Sequence, residues 1–486
     1  MDFTEIYRQS SSLVAFSPGG HFVLTALQDR IIVRRTDTFQ ITRTWLVDAS
    51  PSQTNLFLSN KQNVNVKAKS SQTSSSLASD NWITHCGWSC DSEYILAAFA
   101  KRGVVHILKL RDEDWSGRIE AGTEGLTKAE WAPDGRTILC FSEWGLRVTL
   151  WSLVTGTATY IQFPIHPDRG YAFRADGRYF ILGERHKSKD TLGVYDAAES
   201  YRLMRHFPLP TSSLSSFAVS PTGNHIAVWE GPLDYKLHVL TLAGNLLATF
   251  SPEPDPGFGI RNVAWHPNGM FLAVGGWDDR IHILDSLSWS AVATLELSPR
   301  VPSTVKVWRE PPKWMENTEG RGFLSYERPQ GVHVLPLIRS DQTKPNPKSG
   351  TAQLEWNTTG DLLLVRFDNV PTAVHIFDFP SPQEVFVARL RSVLLHSHPV
   401  ISSRWNPARK GSLVLCCGTQ GVYTWSDEWV SESGEEEEMA ECIGVPAQKF
   451  EARDVKWAPD GKGFILFDKD QFCCAFEVED EEVEAM

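Results

Sequence analysis

Three residues early in the chain have types and spacing that could hold a metal. His85, Cys86 and Cys90 form an HCxxxC cluster, which is half of a tetrahedral zinc site. No second half with ligand spacing follows, so core thiols beside Trp88 are expected instead. A pair of carboxylates, Asp278 and Asp279, could share a proton for acid–base work, but WDDR lies between two strand-like runs, where short polar turn residues belong. Other signatures fail on spacing: there is no GxxxxGK[ST] to cradle phosphates, no HExxH and no GxSxG. No catalytic, cofactor or metal site is expected, and the chain reads as a non-enzyme.

Charge adds little to this picture. The net charge of −12 is carried by two runs: Glu432, Glu435, Glu436, Glu437, Glu438 and Glu441, then Glu477, Glu479, Asp480, Glu481, Glu482 and Glu484. They predict an acidic loop at 431–441 and an acidic tail at 477–486, both solvated. The remaining body is neutral and offers no basic face for nucleic acid. No apolar run approaches the roughly 18 residues of a membrane span, and MDFTEIYRQSSSL lacks an apolar stretch, so a soluble, non-secreted protein is expected. Eight cysteines include two adjacent pairs, Cys416/Cys417 and Cys473/Cys474, whose side chains would point to opposite sheet faces. Reduced thiols in cytosol or nucleus are the expectation.

The elements that would position any functional side chain come from a drifted repeat. An aromatic or Val closing a short apolar strand, then a Pro/Asp/Gly turn, recurs at Phe16, Trp88, Trp131, Phe173, Val219, Trp265, Trp356, Trp405 and Trp457, with a degenerate tenth copy at Trp308. From Trp88 onward the spacing is about 42 to 52 residues, near the propeller-repeat period. The first interval, 72 residues, is inflated by a Ser/Asn/Gln-rich stretch at 50–80 that reads as a disordered insert. Each period holds four short alternating runs, such as MFLAVGG, IHILDS and AVATLEL after Trp265, and the third run ends at the place of the WD dipeptide. The fold expected is all-β: a WD-repeat β-propeller array of nine to ten four-stranded blades, as one oversized ring or two rings. Pro-rich 298–349 is the natural seam, and FTEIYRQ near the N-terminus is expected to supply an outer strand to the Trp457 blade.

In such a fold the loops between second and third strands emerge at one end. Here they carry Lys101 and Arg102, Trp144 and Arg147, Arg185 and Lys187, Tyr235 and Lys236, Trp277, Asp278 and Arg280, and Arg366, Asp368 and Asn369. Aromatics and arginines dominate binding hot spots, so these positions are the candidate partner-binding residues.

Residues 85–103, 125–139 and 143–153 carry a family resemblance, and four further stretches are more specific than a generic WD repeat: LMRHF at 203–207, LDYKLHVLTLAGNLLATF at 233–250, GIRNVAWHPNGMFLAVGGWDDRIHIL at 259–284, and RFDNVPTAVHIFD at 366–378. Through them the chain resembles the WRAP-type WD-repeat proteins of centrosomes and fungal spindle pole bodies. The resemblance implies a non-enzymatic adaptor in complex with a coiled-coil microtubule-anchoring protein of the Msd/SSX-interacting type. In fungi it also implies work with a minus-end-directed kinesin, tethering microtubule minus ends near γ-tubulin complexes at the microtubule-organising centre. No nucleic acid or membrane is implied. Two readings from other classes stay open: a translation-associated propeller that binds RNA or the ribosome, and an enzyme using the central channel.

Overall fold

Runs of five or six apolar residues separated by two- to four-residue turns cannot make helices, and they pair with their neighbours as antiparallel hairpins. Blade 3 shows the pattern: Lys128–Trp131, Thr137–Phe141, Arg147–Ser152 and Ala158–Gln162 follow one another across one sheet. Its second strand is buried on both faces while its outer strand is only partly covered, because apolar cores lie between successive sheets. The computed structural model describes residues 1–48, 81–339, 349–379, 388–430, 436–447 and 449–477. The predicted insert at 50–80, residues 431–435 of the acidic run and the tail beyond Glu477 lie outside them.

Nine such blades are present among the described residues. In chain order they span 14–46, 85–120, 128–162, 171–208, 214–250, 260–296, 351–395, 402–444 and 454–476. The outer strand of blade 9 is Asp2–Phe3, antiparallel to Gln471–Phe476 with Asp2 opposite Phe476. The chain divides into two compact units. The N-terminal unit, Tyr7–Met204 with Lys469–Gln471, holds blades 1 to 3 and the first three strands of blade 4. The C-terminal unit, Met1–Ile6 with Arg205–Asp468 and the chain from Phe472, holds blades 5 to 9.

The repeated aromatic sets the register between blades. In each case where it is Trp, its indole N–H donates to the carbonyl of the residue just before the preceding blade's anchor. Trp88 bonds Ala15 at 3.3 Å and Trp131 bonds Gly87 at 3.1 Å. Trp265 bonds Ala218, Trp356 bonds Ala264, Trp405 bonds Glu355 and Trp457 bonds Arg404, all at 3.1 to 3.2 Å. The turn that follows is closed by its Asp: Asp134 Oδ1 accepts the N–H groups of Arg136 and Thr137, both at 2.9 Å. Gly135 then takes φ 63°, and a Cβ there would stand 2.7 Å from Cys90 Sγ in the turn of blade 2. Glycine is required twice over, by dihedral and by contact.

Three expectations change at this level. Trp308 is not a tenth anchor: its strand, Lys306–Arg309, runs parallel to Arg389–Leu395 as a fifth strand of blade 7, and its indole N–H reaches Glu438 Oε2 at 3.3 Å. Pairing with a strand some eighty residues later is invisible to a local pattern. Region 298–349 is likewise no boundary, since it also lends Phe323–Ser325 to the edge of blade 8, and the compact units part at Met204/Arg205 instead. The predicted acidic loop is a strand from Glu436 to Gly444. Its Glu438 is buried, with Arg391 Nε at 2.5 Å, Ser392 Oγ at 2.8 Å and Lys306 Nζ at 3.3 Å. Two cations and a hydroxyl offset the desolvation that would otherwise keep this carboxylate in water.

The adjacent cysteines do occupy a core: Cys416, Cys417, Cys473 and Cys474 are all buried free thiols. Desolvation raises the Cys473 thiol to about 12 and pushes Cys416 well above its ordinary value. His85 Nδ1 meets Thr84 Oγ1 at 3.0 Å, Cys86 Sγ lies 3.8 Å from the Leu13 carbonyl, and Cys90 is exposed in its turn.

Candidate protein-interaction surface

Each loop between second and third strands is built by the hairpin that carries it. In the N-terminal unit, Lys101 and Arg102 stand exposed on a 3-10 turn that ends at Gly103 with φ 64°, and Arg102 Nε donates to Asn81 Oδ1 at 3.0 Å. Trp144 caps the next hairpin with φ 61° and is 88% exposed. A bulky residue in the left-handed region carries backbone strain, and this one also leaves its indole in water. Beside it, Leu146 and Phe163 are about half exposed and line, with Arg147, a depression of about 420 Å³. Arg147 pairs with Glu124 and lies 4.5 Å over the Tyr160 ring, and the Phe163 ring meets the His186 edge at 5.5 Å. The blade 4 hairpin turns on Lys187 and Ser188, both at positive φ, as a tight two-residue hairpin turn requires. Arg185 at its base is fixed to buried Asp190 at 2.7 Å, and Lys187 projects into solvent.

In the C-terminal unit the corresponding loops interlock. Arg261 bonds Asp368 at 2.6 Å and the Ser349 carbonyl at 2.8 Å, and its guanidinium lies 4.7 Å over the ring of Trp277. Asn369 Nδ2 donates to Asp279 Oδ1 at 2.7 Å while its Oδ1 accepts from the Gly350 N–H at 3.1 Å. Gly350 makes this clamp possible: with φ 71°, a Cβ would sit 2.5 Å from the Gly276 carbonyl oxygen. Asp278 and Asp279 border a depression of about 250 Å³ with Arg280, His282, Glu296 and three prolines of 252–256, and burial holds both carboxyls above the usual carboxylate range. Arg280 is exposed and pairs with Glu296 at 2.8 Å.

The structure thus joins Trp277, Asp368 and Asn369 through Arg261 and Asp279 into one site, with Asp278 on the neighbouring depression, and leaves others apart from it. Tyr235 is 1% exposed, wedged between blades 5 and 6 with its ring 6.0 Å from His282, so it is a packing residue; Lys236 beside it is exposed. Arg366 faces inward, donating to the carbonyls of Val400 and Ile401 and to Gln353. Its long stem reaches back across the blade, where three oxygens replace water. Sequence reasoning passed over Leu233 and Phe258, which are 83% and 55% exposed at the same loop end as Lys236. The signal was a large apolar residue between turn formers, as in GPLDY and PGFG. Exposed apolar tips on a hydrogen-bonded frame are suited to holding another macromolecule.

Nine four-stranded blades with this anchor and turn define a WD-repeat β-propeller protein, and a family profile described as the anaphase-promoting complex subunit 4 WD40 domain matches residues 220–310, within blades 5 and 6 and the segment after them. The chain is 30% identical over 496 aligned residues to the mouse WD repeat-containing protein WRAP73, covering 98% of this chain and 96% of that one. It belongs to the WRAP73 family of WD-repeat proteins. An uncharacterized WD repeat-containing protein of Schizosaccharomyces pombe, C32H8.09, is 20% identical over 99% of this chain and 94% of its own. Among solved structures, KlHsv2 with loop 6CD replaced by a Gly-Ser linker superposes with a TM-score of 0.41 at 9% identity, over 78% of this chain and 97% of that one.

Proposed function

We propose that this chain is a non-enzymatic scaffold whose loop ends grip a coiled-coil microtubule-anchoring protein of the Msd/SSX-interacting type. Together the two tether microtubule minus ends at the spindle pole body or centrosome, with a minus-end-directed kinesin and the γ-tubulin complex as further partners. The observation that carries the reading is Trp144, held 88% exposed on a strained turn beside half-exposed Leu146 and Phe163. Basic Lys101, Arg102 and Lys187 project from the flanking hairpins of the same unit. An aromatic anchor with apolar and cationic neighbours suits the acidic, Leu-rich face of a coiled coil. Blades hold these loops before the partner arrives, so little ordering entropy remains to be lost. Membership of the WRAP73 family supports placing this surface at a centrosome-related task.

The test is calorimetric titration of the full chain with the recombinant coiled-coil protein. Trp144→Ser with Phe163→Ser should weaken binding by about tenfold or more while the melting temperature holds. Unchanged affinity removes the loop-end assignment, and no binding by the unaltered chain removes the partner. Binding of RNA that weakens steeply with salt would favour a translation-associated propeller instead.

A further inference from the structure

A separate groove of about 870 Å³ lies in the C-terminal unit, between blades 8 and 9. Its origin is a mismatch in strand length. The outer two strands of blade 8, Gly421–Val430 and Glu436–Gly444, are ten and nine residues long, whereas the outer strand of blade 9, Asp2–Phe3, has two. The longer sheet therefore overhangs a neighbour too narrow to cover it.

The uncovered lining is chemically uneven. Phe323 on the edge strand of blade 8 is 67% exposed and Trp429 47%, and Trp457 and Ile443 continue the apolar floor. Trp425 also lines the groove. It is fully buried, and its indole N–H has no acceptor among the described residues. Four carboxylates line the wall, those of Asp2, Glu428, Glu441 and Glu477. Glu428 accepts the Gly411 N–H at 2.9 Å, and neither it nor half-buried Glu441 has an ion pair among the described residues. The groove's arginine, Arg409, is already occupied by Glu477 at 2.5 and 2.8 Å.

We infer that this groove is a second docking site, for a short peptide segment of a partner protein that carries Lys or Arg beside large apolar side chains. Its apolar residues would cover Phe323 and Trp429, and its cations would meet Glu428 and Glu441. The carboxylates repel a nucleic-acid backbone, so a basic, apolar peptide is the complement that the wall selects. The volume lies within the range of specific ligand clefts.

The test is selection of a random 16-residue peptide display library on the full chain, followed by fluorescence polarisation of the enriched peptides. Enriched sequences should place Lys or Arg next to Leu, Phe or Trp. Their affinity should fall about tenfold or more in a Phe323→Ser, Trp429→Ser variant, whose exposed positions leave the melting temperature unchanged. Glu428→Gln with Glu441→Gln should weaken binding at low salt and much less at high salt. Trp144→Ser should leave it intact, so this inference and the loop-end reading fail independently. Peptides that bind the groove variants as tightly as the unaltered chain, enrichment of acidic peptides, or no enrichment at all would overturn it.

Discussion

The indole Nε1 of Trp356 donates to the carbonyl oxygen of Ala264 at 3.2 Å, joining blade 7 to blade 6 across ninety-two residues of sequence. The bond falls at the same register as five others between successive Trp anchors and their predecessors. The insertion of 298–349 therefore does not disturb the stacking of the repeat on either side of it.

Removing only that N–H isolates its contribution. Trp356→Phe should lower stability by about 1 kcal/mol, since the Ala264 carbonyl loses a partner while most of the aromatic packing remains. Trp356→Ala adds a core cavity and should cost roughly 3 to 5 kcal/mol. Urea denaturation followed by circular dichroism separates the two. Equal losses would mean that the aromatic packing contributes nothing beyond the hydrogen bond.

Glycine at position 350 is required by contact as well as by dihedral. Gly350→Ala must either push the Gly276 carbonyl aside or abandon φ 71°, and should cost roughly 2 to 3 kcal/mol. Gly156→Ala shares a left-handed φ of 68° but meets nothing within 4 Å, and should cost about 1 kcal/mol. The difference between their melting shifts measures the steric part alone.

The buried carboxylate of Glu310 accepts Trp314 Nε1–H at 2.7 Å, the Tyr423 hydroxyl at 2.8 Å and the Ser397 N–H at 2.6 Å. Glu310→Ala leaves two buried donors, Trp314 and Tyr423, and the Ser397 N–H without their acceptor and should destabilise by roughly 3 to 5 kcal/mol. Glu310→Gln retains one acceptor oxygen and should cost about half as much. A differential scanning calorimetry series on the two variants checks the order, which a purely steric role for Glu310 would not produce.

Acid should weaken the fold through His375. Burial depresses its pKa to about 4, against about 6.5 for the unfolded chain. Between those values the unfolded state holds a proton that the folded state refuses, so this contribution is complete above about pH 6.5 and is lost as pH falls toward 4. The loss is on the order of 3 kcal/mol. His375→Leu should flatten the pH dependence of the denaturation midpoint between pH 7 and 5, and an unchanged slope would assign the acid sensitivity elsewhere.

How far the sequence could be read depended on how local each feature is. The nine anchors, the four-strand period and the N-terminal strand on blade 9 were legible, because strand alternation and the Pro/Asp/Gly turn are written within a few residues of each other. The anchors' hydrogen bonds were not, because WAPDG contains the donor while the acceptor lies one repeat earlier. Trp308 carried the right spacing and the wrong partner. At the candidate surface, hairpin tips were located correctly, but the exposure of each side chain depends on the neighbouring blade. Hence Tyr235 and Arg366 turned inward, Trp277 lies half-covered by Arg261, and Leu233 and Phe258 stand in solvent. The acidic run misled for the same reason: composition marks it as solvated, while Arg391 and Lys306, more than forty residues away, draw Glu438 inside.

The pairing of Asp2 and Phe3 with Phe476 and Ala475 sets a schedule for biosynthesis. Translated some 470 residues ahead of their partners, they have no sheet to join until blade 9 is made, roughly half a minute to a minute and a half later at ordinary elongation rates. Throughout that interval the edge strand lacks its blade and Phe3 remains an apolar side chain in need of shielding. A nascent chain stalled before Phe472 should accordingly stay bound to a chaperone, and release should coincide with synthesis of the final strand.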